Sequence, residues 1–325
     1  MPFSTGISTE RVTVPIPLQH ALEEQAAAAR TKVSQLRSPG RYLLLSALAG
    51  AFIGVAGVLL IMVTGPLSAQ HSAWTKLVQG GVFGIALILV VFAGSELCTG
   101  NVLTMTQGVT RRRVSPLGAI GVIVFSFIGN LIGSIVFAWI VHSAGVLDMV
   151  GVPGKPAPGA TLLSGMLTTK IHESTEALFF RGVLCNFLVC LALWTAGRTR
   201  SDGAKIALIF WCLLAFIGSG FEHVVANMTY FSLGLFQHVP GVTIGSFARD
   251  LLFVGLGNLV GGAVLVGIAY GVIARPAKGA GAQVDPQTGA VIAPQTGVRA
   301  DAPSAPQADT PVSAQAAVPV ETTKS

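Results

Sequence analysis

Two short stretches place acid, base and amide groups where the surrounding chain is apolar. "SELCTGN" (95–101) and "FEHVVAN" (221–227) each run from a glutamate, Glu96 or Glu222, through four residues to an asparagine, Asn101 or Asn227. Two carboxylates invite a general acid–base pair of the kind hydrolases use. The competing reading is structural: a carboxylate beside an interrupted helix accepts orphan amide protons, and the asparagine that ends each motif does likewise. The structural reading is preferred for Glu96, Asn101, Glu222 and Asn227. His223 follows Glu222 directly, and imidazole is the side chain whose charge changes most readily near neutral pH. Alone it could be a neutral core histidine bonded to a carbonyl. Its place beside a repeated motif favours a functional role instead. Thr99 supplies the first motif with a hydroxyl that donates or accepts.

The surroundings decide what these groups can do. The 325 residues are 52% hydrophobic and 10% charged, against roughly 25% charged in an ordinary soluble domain, so the chain reads as a polytopic membrane protein. The 39 glycines fit close helix packing in lipid. The net charge of +6 is spread over the ends of apolar segments, which is no nucleic-acid footprint. Cys98, Cys185, Cys190 and Cys212 all lie inside apolar segments, where packing is expected of them rather than disulfides. There is no P-loop, no GxSxG and no metal-spaced cluster; His20, His71, His142, His172 and His238 are scattered. No enzyme chemistry, metal or cofactor is expected.

Apolar segments run over about 42–64, 77–110, 114–142, 177–197, 206–237 and 247–274. About 20 helical residues cross a bilayer. The second and fifth segments are too long for one crossing and too short for two, and each contains one of the polar motifs. The expectation is an all-α protein of six crossings, the second and fifth broken by unwound backbone. Such backbone persists in a membrane only where protein or a wet cavity surrounds it. Its new helix N-termini expose amides and partial positive charge that suit a small anion. Lys and Arg collect on one side (Arg11, Arg30, Lys32, Arg37, Arg41, Arg111, Arg112, Arg113, Arg198, Arg200, Lys205, Arg275 and Lys278), leaving Lys76, Lys155, Lys170 and Arg249 on the other. Both termini are therefore expected in the cytoplasm, with the protein in the inner (plasma) membrane. Residues 1–41 form an N-terminal segment without the apolar core of a signal peptide, so no cleavable signal is expected. Within it, Leu18, Leu22, Ala26, Ala29, Val33 and Leu36 share a helical face, which predicts an amphipathic helix at the inner surface. Residues 42–274 form the transmembrane domain. From 275 to 325 the chain is Ala/Pro/Gln/Thr-rich and is expected to be a disordered tail.

The halves echo each other. Besides the Glu–Asn motifs, "IGNLIGS" (128–134) resembles "LGNLVGG" (256–262), and the offsets, 126 and 128 residues, are nearly equal. Three crossings per half turn the second half upside down, so two inverted three-helix repeats are expected. Broken helices at corresponding positions mark a transport pathway. Asn130 and Asn258 are expected to bond between helices, and Glu176 with Arg181 to neutralise each other or a neighbouring helix. On residue type alone, Phe83, Leu87, Leu97, Val189 and Phe216 are packing residues, and Asn186 is undecided.

"GIALILVVFAGSELCTGNVL", "KIHESTEALFFRGVLCNFLVCLALW", "WCLLAFIGSGFEHVVANMTYFSLGLF" and "LGNLVGGAVLVG" resemble the formate/nitrite transporter family, and their wording is nearest its nitrite channel branch. The similarity spans about 40–273. It implies an aquaporin-like protomer in a homopentamer, with a pore in each protomer. By motif, His223 is similar to the family's central pore histidine and Thr99 to the threonine of its mobile loop. Asn186 resembles a polar pore residue, and Lys170 the lysine that raises anion potential at the outer entrance. Phe83, Leu87 and Phe216 resemble one apolar constriction, Leu97 and Val189 the other. Cys98 departs from the pattern, since a Phe usually follows Glu-Leu in that loop.

A bare anion in a dry constriction loses hydration worth many kcal/mol. The expected mechanism is therefore attraction of a monovalent anion by Lys170 and the helix ends, then passage as the neutral acid with a proton supplied through His223. Nitrite is the favoured cargo, with formate or hydrosulfide as alternatives inside the family. An aquaporin-like pore for neutral solutes is the alternative outside it, although no Asn-Pro-Ala signature occurs.

Overall fold

The computed structural model describes residues 15–151 and 154–274, and beyond them only Gln283–Val284 and Val291–Ile292. The chain divides into two units, Met1–Arg275 and Pro276–Ser325. In the second, Gln283–Val284 pairs antiparallel with Val291–Ile292. The rest of the tail expected to be disordered lies outside the described residues, as do residues 1–14.

The first unit is all helix: α1 (Leu18–Gln35), α2 (Pro39–Ala69), α3 (Thr75–Phe83), α4 (Ile85–Phe92), α5 (Cys98–Thr110), α6 (Pro116–Ser143), α7 (Pro158–His172), α8 (Thr175–Ala196), α9 (Asp202–Gly218), α10 (Val224–Phe236) and α11 (Ile244–Val260), the last continued by a π-helical stretch, Gly261–Ile268, and α12 (Ala269–Ile273). Among the described residues five stretches are long and apolar enough to cross a membrane: Pro39–Ala69, Thr75–Phe92, Pro116–Ser143, Thr175–Ala196 and Ile244–Ile273. The apolar segment 206–237 is split between α9 and α10. α7 was not anticipated. Its sequence "PGATLLSGMLTTKIH" is too polar to stand out as apolar, yet Leu163 and Leu167 are fully buried and the helix packs on α2.

Both expected interruptions are present. α4 ends at Phe92 and α5 begins at Cys98; α9 ends at Gly218 and α10 begins at Val224. Each gap turns on a glycine with positive φ, Gly94 at 74° and Gly220 at 73°, a conformation that a Cβ disfavours. The same bonds recur around each. Ser95 N–H donates to Val90 O and Phe221 N–H to Phe216 O, both at 3.1 Å; Glu96 N–H reaches Leu45 O and Glu222 N–H reaches Arg181 O, both at 3.2 Å. Asn130 accepts from Cys98 N–H (2.9 Å) and donates to the carbonyls of Ser46 (2.7 Å) and Glu96 (2.8 Å). Asn258 does the same for Val224 N–H (2.9 Å), Gly182 O (2.8 Å) and Glu222 O (2.9 Å). Each asparagine thus satisfies both sides of a break from a neighbouring helix. Glycines let those helices approach: a Cβ on Gly133 would strike the Ala47 carbonyl, and one on Gly261 the Val183 carbonyl.

These bonds correct the role expected of the glutamates. The first amides of α5 and α10 go to Asn130 and Asn258, while the Glu96 and Glu222 carboxylates accept only from side chains. A neutral amide accepts one N–H and donates to two carbonyls at once, which a carboxylate, having no donor, does not do. Of the two outcomes expected for Arg181 the second is found: it pairs with Glu173 (2.7 Å), the C-cap of the neighbouring helix α7, and not with Glu176. α1 forms where expected, but its buried Ala21, Leu22, Ala26 and Ala29 pack on the protein itself, including α5. Leu22 joins Leu103, Cys190 and Trp194 in one cluster, and Ala29 joins Tyr42 and Met105 in another.

Each buried amide or carbonyl left without a partner costs about 1–3 kcal/mol. Asn258→Leu removes three hydrogen bonds at once and should lower the unfolding midpoint in detergent sharply, whereas the half-exposed Leu259→Ala should stay close to wild type. Equal midpoints for the two variants would refute the clamp.

Candidate functional site

α5 and α10 point their N-termini at each other, and the side chains at those ends touch. His223 is the N-cap of α10 and its Nδ1 accepts the Ala226 N–H at 3.2 Å. Its Nε2 lies 3.1 Å from Thr99 Oγ1, in the first turn of α5. An Nδ1 that accepts carries no proton, so the neutral ring bears its hydrogen on Nε2 and donates it to Thr99. Two helix-terminal partial positive charges therefore converge on one His–Thr pair. His223 is 4% exposed and Thr99 2%.

Three cavities follow one another past this pair. A central chamber of about 10 Å³ is lined by Ile53, Phe83, Ala86, Leu87, Leu97, Val189, Leu213, Phe216 and His223. His223 is its sole polar lining residue. Phe216 and His223 also border a vestibule of about 230 Å³ that contains Lys76, Gln79, Lys170, Arg181, Glu222 and Asn227. Leu97 also borders a vestibule of about 680 Å³ that contains Glu24, Lys32, Arg41, Glu96, Asn101, Arg200 and Lys205. The smaller vestibule sets three cations against one carboxylate (Lys76, Lys170 and Arg181 against Glu222), and the larger sets four against two (Lys32, Arg41, Arg200 and Lys205 against Glu24 and Glu96). Both linings carry more cationic than anionic side chains, while the chamber between them is narrow and almost wholly apolar, with room for about one water and a single polar group, His223, to bond it. Phe83 and Phe216 close it edge to face, with ring centroids 5.7 Å apart, and Phe216 stacks on the His223 ring.

A charged pair stands in each vestibule wall. Lys32, from α1, reaches both Glu96 carboxylate oxygens at 2.7 Å. That carboxylate also accepts from Tyr42 Oη (3.1 Å) and Asn101 Nδ2 (3.0 Å). Lys170, from α7, bonds the Glu222 carboxylate, which Asn227 Nδ2 also reaches at 2.8 Å. Both pairs lie mostly out of solvent. An ion pair so placed is strong only while both partners remain.

The residues singled out from sequence therefore separate into groups. Phe83, Leu87, Leu97, Val189, Phe216 and His223 all line one chamber. Thr99 reaches the chamber only through His223 and otherwise borders a groove of about 410 Å³ between α6 and α11, where Cys98 also lies. Asn186 lines none of these cavities; it donates to Thr99 O (3.2 Å) and Asn258 O (2.6 Å), tying the two breaks together. Residue types alone did not reveal Lys32, Tyr42 or Asp250. Lys32 lies 64 residues from Glu96, and no local spacing joins them.

Residues 19–272 match the formate/nitrite transporter family. The chain belongs to that family. Its members are transporters and channels, not enzymes, and this chain is a multi-pass membrane protein of the same kind. It is 40% identical over 246 residues to the nitrite transporter NirC of Escherichia coli (strain K12), an alignment covering 75% of this chain and 88% of that one. Among solved structures it is similar to an "FNT family ion channel", with TM-score 0.72, 37% identity, and coverage of 79% and 99% of the two chains. It is also similar to a "pentameric formate channel with formate bound", with TM-score 0.60, 28% identity, and coverage of 73% and 98%. The family match thus takes in both breaks and every residue that lines the chamber.

Lys170→Met strands a buried Glu222 and should destabilise the folded protein by about 3–5 kcal/mol. The double variant K170M/E222Q should recover most of that loss in a detergent unfolding series. A double variant no more stable than the single one would show that the pair does not hold this wall.

Proposed function

We propose that this protein conducts small monovalent weak-acid anions across the inner membrane, nitrite foremost, and that the anion crosses the central chamber as its neutral acid. The observation that carries the reading is the pairing of two cation-rich vestibules with a narrow chamber of about 10 Å³ whose lining is apolar but for His223. An ion would shed its hydration there with nothing but His223 to replace it. A neutral acid loses far less.

Lys170, Lys32 and the neighbouring arginines gather the anion, and the facing ends of α5 and α10 hold positive potential where it must shed water. With Nδ1 committed to the Ala226 amide, His223 has one N–H, on Nε2, which it turns from Thr99 to the arriving anion; the anion takes its proton from vestibule water, leaving hydroxide there, and Nε2–H returns to Thr99 once the neutral acid has passed. Direct donation from an imidazolium would first break the cap bond. Thr99 holds the ring, and Asn186 fixes Thr99. Phe83, Leu87 and Phe216 gate one side of the chamber and Leu97 with Val189 the other. The 40% identity to a NirC nitrite transporter supports nitrite, and the likeness to a formate-bound channel supports formate as the second reading.

The assembly follows the same reading. Residues 42–274 make six crossings in two inverted repeats with an aquaporin-like course, α9 and α10 together forming the fifth crossing. The recurring bonds around Asn130 and Asn258 support that duplication. The basic side faces the cytoplasm with both termini, and the protomers form a pentamer, as the formate-bound relative does. Residues 1–41 and 275–325 flank this domain on the cytoplasmic side.

Purified protein in proteoliposomes should take up nitrite faster than formate or hydrosulfide, and His223→Leu should abolish the proton-linked flux of all three. Unchanged, still proton-linked flux in H223L would overturn the mechanism; uptake of neutral solutes alone would overturn the function.

A further inference from the structure

The two vestibule walls are built alike except at one position. Around Asn101, the amide that donates to Glu96 also reaches Tyr42 Oη at 3.2 Å, and that phenol donates back to Glu96. This first cluster contains Lys32, Glu96, Asn101 and a neutral phenol, so its charges balance. Around Asn227, the amide that donates to Glu222 donates equally, at 2.8 Å, to Asp250 Oδ2. Asp250 comes from α11 and is fully buried. Its other oxygen, Oδ1, has no hydrogen-bond partner among the described residues.

The second cluster therefore has two carboxyl groups sharing one amide, and one lysine. The groups facing Asp250 give it no cation of its own. Lys170 of α7 bonds Glu222. Arg249, its neighbour on α11, donates to the carbonyls of Ile171 and Glu173 at the end of α7. Arg181 of α8 pairs with Glu173. Cys185 of α8 and Tyr230 of α10, both near Glu222, add no positive charge. A buried carboxylate with one donor, no counter-ion and a second carboxylate sharing that donor is a group that binds a proton readily.

We propose that Asp250 is a titratable positioning residue that sets the charge of the Lys170 vestibule, taking up a proton in the working pH range and so coupling anion entry to acidity on that side. This rests on the reading of the protein as an anion conductor. With Asp250 neutral, Lys170 balances Glu222 and Arg181 balances Glu173, and Lys76 leaves the mouth net positive. With Asp250 ionised, the wall gains one negative charge a single side chain, Asn227, behind the vestibule, and an entering anion is repelled. Asp250 is not among the residues that line the chamber, so it acts on entry and not on the crossing itself.

The test compares wild type with Asp250→Asn, which keeps an oxygen for the Asn227 bond and cannot ionise. Nitrite uptake is measured in proteoliposomes over a pH series, with KM and maximal rate resolved. At the alkaline end D250N should show a KM about fivefold below wild type, converging on wild type at the acid end, with the maximal rate unchanged throughout. A KM ratio independent of pH, or a uniform fall in rate, would assign Asp250 a purely structural role and overturn the proposal. Infrared spectra supply a readout that needs no transport. Wild type should show a carboxylic-acid carbonyl band that fades as pH rises and is missing from D250N; its absence from wild type at every pH would overturn the proposal equally. If D250N fails to fold, Asp250→Ser serves in both experiments. A wild type that conducts no anion at any pH defeats the functional reading instead, and the infrared band still decides Asp250.

Discussion

A helix that stops inside an apolar protein leaves amides and carbonyls that must find partners, because neither lipid nor packed side chains supply them. Here a single asparagine answers each stop. Asn130 and Asn258 each take one amide and return two hydrogens to carbonyls on both sides of a break. The geometry of the site hangs on these two clamps. They hold Leu97 and His223 in extended backbone, aim α5 and α10 at each other, and bring Thr99 within reach of the imidazole. The glutamates, released from amide duty, are free to carry lysines into the vestibule walls.

Those lysines resolve a conflict between attraction and passage. A chamber cationic throughout would trap an anion; a dry one throughout would never receive it. The fold separates the two needs by distance, with charge in the vestibules and apolar side chains between. Pairing each lysine with a glutamate keeps it buried and placed, while Lys76 in one vestibule and Arg41 in the other add positive charge beyond those pairs. His223 stands where the two regimes meet. Its Nδ1 is fixed by the helix it caps, and its Nε2 is held by Thr99 Oγ1.

What the sequence disclosed follows from where each signal is stored. The breaks were legible because a Glu–Asn pair within an apolar run is local and costly, and Gly94 and Gly220 stand beside them. The clamps were legible as bonding residues because "GN" recurs at nearly one offset. The glutamates' partners were not, because Lys32 and Lys170 lie 64 and 52 residues away and only the folded chain juxtaposes them. α7 escaped notice because its buried face is narrow. Asp250, next to Arg249, resembled one more charge at a segment end, although it is fully buried. The side chains that line the chamber were singled out only through family resemblance, since an apolar residue lining a chamber and one packing a core have the same type.

The central claim is that the chamber passes a neutral acid and excludes the bare ion. It is tested most directly by measuring nitrite uptake into proteoliposomes at an imposed membrane potential while recording internal pH. Crossing as the acid predicts an initial rate independent of the potential, with the lumen acidifying in step with nitrite entry. Uptake that scales with the potential and leaves internal pH unchanged would show that the anion crosses with its charge, and would contradict the account.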